Sequence, residues 1–327
     1  VTMAIPQPSQ PSGSSVPSAP RVLTQQDFDR FARLSRDDNP IHCEPAFARG
    51  THFGATVAHG MLLFSLLCAQ MQRGRAGPVL PLAQTLMFPQ PTYVGDGVVA
   101  ELVPGEGAAG RIGLRTAIRC VQRGGRALPA GDAPVTASGD AELLLDPDAA
   151  ALAGPLVSGA GGAGAAAAGD AALYHLRPGQ QADAVRAFER ADLDEYVALS
   201  GDANPLYADA ALARRRGFDG PLVPLPLLAG MFSDLLGTRL PGRGTGWMKQ
   251  SLRLRAAARP GEPLRASVRI VRLRADKELV NLATDITGED GRPVLQGEAL
   301  VLVRNLERKL AGDAGGCAQD RQTAVSS

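Results

Sequence analysis

The chain repeats itself. The stretch FARLSRDDNPIHCEPAFARGTHFG, beginning at Phe31, returns without a gap 165 residues later as YVALSGDANPLYADAALARRRGFD, beginning at Tyr196. Ser35, Asp37, Asn39, Pro40, Ala46, Ala48, Arg49 and Phe53 recur as Ser200, Asp202, Asn204, Pro205, Ala211, Ala213, Arg214 and Phe218. Shared composition does not hold so many identities in register within one short loop, so the chain reads as a fused duplicate. The expected geometry is two similar folds packed about a pseudo-two-fold axis, as two copies are in a homodimer. The 327 residues leave room for this, since a domain of about 100–150 residues buries its own core.

Composition marks where the repeats stop. The 38 glycines and 25 prolines gather at the ends and in the middle. Residues 1–20 and 306–327 are expected to be disordered tails, and the Ala/Gly-rich run within 151–180 a flexible linker. That leaves a domain over 21–150 and another over 181–305. With 34 Lys+Arg against 33 Asp+Glu, the formal net charge of +1 gives no field to attract nucleic acid or an anionic membrane. No apolar run reaches the roughly 18–20 residues of a membrane span, and the Pro/Ser/Gln-rich start lacks the layout of a secretory signal, so a cytoplasmic protein is expected. Cys43, Cys68, Cys120 and Cys317 show no metal or redox spacing and read as structural thiols, with no metal site expected.

Each half follows one plan. Thr24 with Asp27, then Phe28, Phe31 and Ala32, predict a capped amphipathic helix, and Asp192 with Glu195, then Leu193, Tyr196 and Val197, predict its twin. Both helices run into an Asp-x-Asn-Pro loop, where the residue before proline resists helical continuation. Next come VAHGMLLFSLLCAQM from Val57 and PLPLLAGMFSDLL from Pro224, apolar enough for helices buried on most sides. Only strand-like segments follow in either half. The fold class expected is α+β: in each repeat an antiparallel sheet wraps one buried helix, and the two sheets can join edge to edge, removing an exposed edge.

The string Asp37-Asp38-Asn39-Pro40-Ile41-His42, followed seventeen residues after His42 by His59-Gly60-Met61, resembles the MaoC-like, R-specific enoyl-CoA hydratase family, whose members have the hot-dog fold. Gly95-Asp96, echoed by Gly261-Glu262, fits the same pattern. The resemblance covers both halves and implies a tandem, double hot-dog protein of fatty acid metabolism. The implied reaction is reversible syn addition of water to a trans-2-enoyl thioester, giving the (R)-3-hydroxyacyl thioester, with no cofactor because coenzyme A is part of the substrate.

Water attacks an enoyl C3 poorly, so a carboxylate and an imidazole holding one water between them can take its proton and return one to C2. Asp37 and His42 are the pair expected to do this, with Asn39 bracing their loop. Backbone N–H groups near His59 and Gly60, at the first turn of the buried helix, can stabilise charge on the thioester oxygen, and Gly60 lets substrate approach the backbone. Blander readings exist. An Asp-x-Asn-Pro loop also suits a helix-ending turn, His59 also suits a core, and Ser65 can pack or touch a thioester. His52 and His175 read as surface residues.

The second half departs from the pattern: Tyr207 matches His42, and Pro224-Leu225-Pro226 matches His59-Gly60-Met61. A tyrosine is a weak base near neutral pH and proline lacks the N–H donor, so this half is expected to be a degenerate, structural partner completing the substrate channel. Lys249, Arg253 and Arg255 share one strand face and are candidates for coenzyme A phosphates, with Arg73 and Arg75 as alternatives and a solvated face as the plainer reading. The expected partner is an acyl-CoA or acyl-carrier thioester, within a pseudo-dimeric chain that can further oligomerise. Competing functions are a hydratase of a branched or dicarboxylic enoyl-CoA such as mesaconyl-CoA, a thioesterase, and a non-catalytic acyl-thioester binding or accessory subunit.

Overall fold

The computed structural model describes residues 17–107, 110–152 and 173–307. Most of the expected linker, most of both outer tails and Cys317 lie outside these residues. The ordered fold reaches beyond the expected borders on three sides. Ser18 already bonds the backbone of Ala100, buried Leu173 and Leu176 precede position 180, and Leu306 is buried past position 305.

Helix α1, Gln25–Ser35, opens with a capping box in which the Thr24 hydroxyl accepts from the Asp27 N–H and the Asp27 carboxylate accepts from the Thr24 N–H. Two short helices, α2 (Pro40–Cys43) and α3 (Pro45–Arg49), follow, and then the buried α4, Gly60–Gln72. The second half repeats the series with α5 (Arg190–Ser200), a 3₁₀ turn at Pro205–Tyr207, α6 (Ala210–Arg215) and the buried α7, Leu225–Asp234. The cap of α5 differs from expectation: the box is Glu189 with Asp192, one turn earlier than Asp192 with Glu195. A glutamate at the cap position carries no N-cap signature in sequence, so Asp192 stands out in its place.

Strands β1 (Arg21–Val22), β2 (Val79–Met87), β3 (Gly97–Gly105), β4 (Ile112–Arg123), β5 (Arg126–Ala127) and β6 (Val135–Leu145) belong to the first half. The second contributes β7 (Gln181–Arg186), β8 (Gly246–Leu254), β9 (Leu264–Arg274), β10 (Leu279–Gly288) and β11 (Pro293–Leu302). All join one sheet in the order β1-β3-β4-β6-β2-β8-β11-β10-β9-β7, with β5 paired to β4. Read from its middle outward, the order is the same in both directions, and the seam is the antiparallel pair β2–β8, where Thr85 sits opposite Ser251. The expected edge-to-edge join is therefore present. Helices α4 and α7 pack on each other inside the curved sheet, and their apolar residues form one core continuous across both halves.

The recurring loop residues hold each half to the other. Asn39 Nδ2 donates to the Thr245 carbonyl at 2.9 Å, and Asn204 Nδ2 donates to the Val79 carbonyl, so each loop is bolted to the opposite half at the start of β8 or β2.

Candidate active site

Ser35 ends α1 by donating its hydroxyl to the Phe31 carbonyl, 2.7 Å away, and that same oxygen accepts the Asp37 N–H. Arg36, in the left-handed region at φ 65°, turns the chain so that Asp37 enters the interior. The loop then bends at Asn39-Pro40, and α2 brings His42 back beside Asp37. The Asp37 carboxyl is buried. Its Oδ1 accepts the Asn39 N–H, and its Oδ2 accepts the Ser233 hydroxyl from α7 of the second half, at 2.5 Å.

His42 Nδ1 lies 2.7 Å from the Val57 carbonyl, which fixes the proton on Nδ1 and leaves a lone pair on Nε2. That Nε2 is 4.0 Å from Asp37 Oδ2. The gap exceeds a direct hydrogen bond and suits a water oxygen about 2.8 Å from each atom. Burial pushes the Asp37 carboxyl up to about 7, reinforced by the nearby charges of Asp234 and Asp38 and opposed by the Ser233 and Asn39 hydrogen bonds. Burial also holds His42 down to about 4, against the pull of the Val57 carbonyl. Near neutral pH the site therefore holds an uncharged imidazole beside a carboxyl close to its own titration point.

The cleft reaching this pair has a volume of about 170 Å³ and is lined from both halves: Asp37, Asn39, His42 and Gly60 from one, Ser233, Gly237 and Trp247 from the other, with apolar Ile41, Leu63, Leu236 and Leu302 between them. Gly60 opens α4, where the first N–H groups precede any intrahelical carbonyl. Its need for glycine has a nearer cause than substrate approach: a Cβ there would lie 2.5 Å from the Phe88 ring.

His59 does not line the cleft. It is fully buried behind His42, with ring centroids 3.8 Å apart and stacked, and its Nε2 donates to the Asp37 carbonyl at 3.1 Å. Asp37, His42 and His59 bring ligand-type atoms within 4.8 Å of one another. Stacked imidazoles hold their lone pairs side by side, and His59 Nε2 is engaged by a carbonyl, so the trio converges poorly on a single ion. Ser65 bonds back to the Met61 carbonyl within α4 rather than reaching the cleft. His52 sits exposed on the rim, its Nδ1 2.5 Å from Asn305 Nδ2. Cys43 is held at about 12 by burial and nearby acids, which keeps it an unreactive thiol.

The proposed phosphate cations are not brought to this cleft. Residues of β8 alternate between faces: Gln250, Leu252 and Leu254 point inward, and Arg253 and Arg255 line a separate groove on the outer face with Arg115, Asp140 and Glu298. Arg255 is bonded there to Gln296. Lys249 is exposed on that side too, and Arg75 is tied to the Met71 carbonyl.

In the second half, Asp202 occupies the place of Asp37. The hydroxyls of Tyr196 and Tyr207 donate to its Oδ2 at 2.9 and 3.2 Å, so the phenol matching His42 fills the space where a water would bridge. The sequence singled out Asp37, His42, Asn39 and Gly60 but missed Ser233, Gly237 and Trp247. Ser233 could have been found by shifting the repeat onto itself, since it aligns with Cys68 on α4, and in a two-fold arrangement each loop meets the opposite helix.

A curved sheet continuous across two halves, each enclosing one helix, defines a double hot-dog protein. Two solved structures resemble it: a MaoC-like dehydratase at TM-score 0.66 and 15% identity, covering 88% of this chain and 97% of that one, and a Mycobacterium tuberculosis protein described as having a double hot-dog fold, at TM-score 0.63 and 16% identity, covering 89% and 96%. In sequence, residues 8–117 match the MaoC like domain and residues 179–296 the FAS1-like dehydratase domain region. The (R)-specific enoyl-CoA hydratase of Aeromonas caviae is 39% identical over 126 residues, 38% of this chain and 94% of that enzyme. A mitochondrial 3-hydroxyacyl-(acyl-carrier-protein) dehydratase of Solanum lycopersicum is 32% identical over 133 residues, 40% of this chain and 79% of that enzyme. The chain belongs to the MaoC-like dehydratase and R-specific enoyl-CoA hydratase family. Among the described residues no helix is long and apolar enough to cross a membrane.

Proposed function

We propose that the protein is a hydro-lyase that adds water reversibly to trans-2-enoyl thioesters, giving (R)-3-hydroxyacyl thioesters, at one site per chain. The observation that carries this reading is the 4.0 Å gap between Asp37 Oδ2 and His42 Nε2 at the end of a cleft lined from both halves. A carboxylate and a neutral imidazole are both acceptors there. A water donating one hydrogen to each leaves its lone pairs directed at C3 of a bound enoyl group. As the C3–O bond forms, one water O–H bond breaks and its proton passes to Asp37, the stronger base of the two in this setting. The pair C2–H forms when Asp37 returns that proton, on the face from which the water came. Syn addition follows from one water held by one pair. The thioester oxygen, negative in the transition state, lies within reach of the α4 N-terminus at Gly60.

The lining also narrows the substrate. Among the described residues of the cleft there is no arginine or lysine to meet a second carboxylate, which favours monocarboxylic acyl chains over mesaconyl-type substrates. Tyr207 in place of His42 and the two phenols on Asp202 support a non-catalytic second half. The relatives include enzymes named for coenzyme A and for acyl-carrier-protein substrates, so the carrier is the thioester class rather than one of the two.

The test is a panel of crotonyl-, octenoyl-, dodecenoyl- and mesaconyl-CoA, followed by loss of the conjugated enoyl absorbance, with product chirality determined. Turnover to the (R) product is expected with monocarboxylic substrates, and Asp37→Asn and His42→Ala should each lower kcat by about 100-fold or more. Binding without turnover across the panel would point to the accessory-subunit alternative. Full activity in either variant would remove the assignment.

A further inference from the structure

Helix α7 does not end as its twin does. After Asp234 it opens into a π-helical turn, Leu235–Arg239, and Gly237 within that turn is packed against Asp37. A Cβ on Gly237 would lie 2.5 Å from Asp37 Oδ1 and 3.0 Å from the Asn39 Cβ. The backbone does not require glycine here, because Gly237 is not among the residues of positive φ. A glycine inside a helix is destabilising by roughly 0.5–1 kcal/mol relative to alanine, and π turns tend to occur at functional sites.

The repeat supplies an internal comparison. The position 165 residues earlier is Gln72, which keeps a full side chain in the regular helix α4 and spends its amide on the Gly77 carbonyl and the Val79 N–H. The helix beside the Tyr-capped Asp202 therefore has an ordinary end. The helix beside Asp37 has the π turn and the glycine.

We propose that Gly237 is a positioning residue for Asp37: its missing side chain makes the space that seats Oδ1 on the Asn39 N–H, so that Oδ2 is aimed at the Ser233 hydroxyl and the His42 Nε2. This inference rests on the hydratase reading above for its kinetic consequence. The groups that face the Asp37 carboxyl are His42, Cys43 and His59 from the first half, Asp38 on its own loop, and Ser233 and Asp234 on α7.

The test is Gly237→Ala in the full chain, read by kinetics across pH and by ¹³C NMR titration of the Asp37 carboxyl. A methyl group pressing on Oδ1 loosens the Ser233 bond, which holds the carboxyl down. The Asp37 midpoint should therefore rise, and the acid limb of kcat/KM with it. We expect kcat to fall by about 100-fold, the scale of a 1 Å misplacement of a reacting group, with KM within about threefold of the parent. Unchanged kcat and an unchanged midpoint would overturn the inference. So would a variant that loses activity and melting temperature while the Asp37 midpoint stays put, because that is packing alone. If the parent protein hydrates no enoyl thioester, the proposed function fails, and the carboxyl titration in parent and variant still decides the role of Gly237.

Discussion

A carboxyl group as deeply buried as Asp37 resists ionisation, and this gives it two measurable consequences. The first is kinetic. If the carboxylate is the base, kcat/KM for hydration rises with pH and reaches its plateau above about 7, the value to which burial lifts this group. A profile flat from pH 5 to pH 9 would remove Asp37 from that role. The second concerns stability. The native state prefers protonated Asp37, so its contribution is fully present below the unfolded value near 4 and is lost as pH rises through about 7. Asn keeps an acceptor for the Ser233 hydroxyl and has no charge to bury, while its amide turns a donor toward the Asn39 N–H at every pH. The melting temperature of Asp37→Asn relative to the parent should therefore rise from pH 4 to pH 8, by about 2 °C for each kcal/mol of relief. Thermal melts at both ends of that range check it, and a pH-independent difference would contradict it. At this scale the sequence was most legible where chemistry is local: Asp37 and His42 lie five positions apart around one proline. Gly237 was not legible, and Ser233 was legible only by laying the repeat on itself, because both meet Asp37 through the pairing of the halves.

Among elements, the start of α4 and the end of β2 work as one unit. Phe88, just past β2, lays its ring where a Gly60 side chain would be and packs against Trp247 on β8, with ring centroids 6.4 Å apart. The glycine that opens the helix thus shapes the cleft wall as well as exposing backbone N–H groups. Gly60→Ala should push the Phe88 ring off α4, shift the emission of Trp247, the chain's single tryptophan, and lower kcat/KM by about tenfold or more. Emission and activity both equal to the parent would show that the ring has no fixed place. Element types were readable from apolar periodicity, but two starts were not. Strand β2 begins at Val79, a start masked in sequence by Pro81, which sits at a bulge beyond the part of β2 that pairs with β8. Helix α5 begins behind a glutamate cap that local preference does not favour.

The whole molecule keeps the plan of a homodimer while escaping its main constraint. In a true two-fold dimer, a residue on the axis meets its own copy, so a charge there meets a like charge. Here positions 30 and 195, which are equivalent in the repeat, meet as Arg30 and Glu195, with Nε and Oε1 2.7 Å apart. Fusion let the two sites diverge into a complementary pair. The same freedom let Tyr207 replace His42 in one half while α7 of that half supplied Ser233 to the other. The repeat made this architecture visible in sequence, and the asymmetry became visible only once the halves were paired. Arg30→Glu and Glu195→Arg should each place like charges together. Both side chains are partly exposed, so each change should destabilise by only about 0.2–1 kcal/mol. The double exchange restores opposite charges and should recover most of that loss. All three effects should shrink as added salt shortens the screening length. Denaturant melts of the four proteins at low and high salt measure the coupling. Strictly additive single changes at low salt would show that this pair does not hold the halves together.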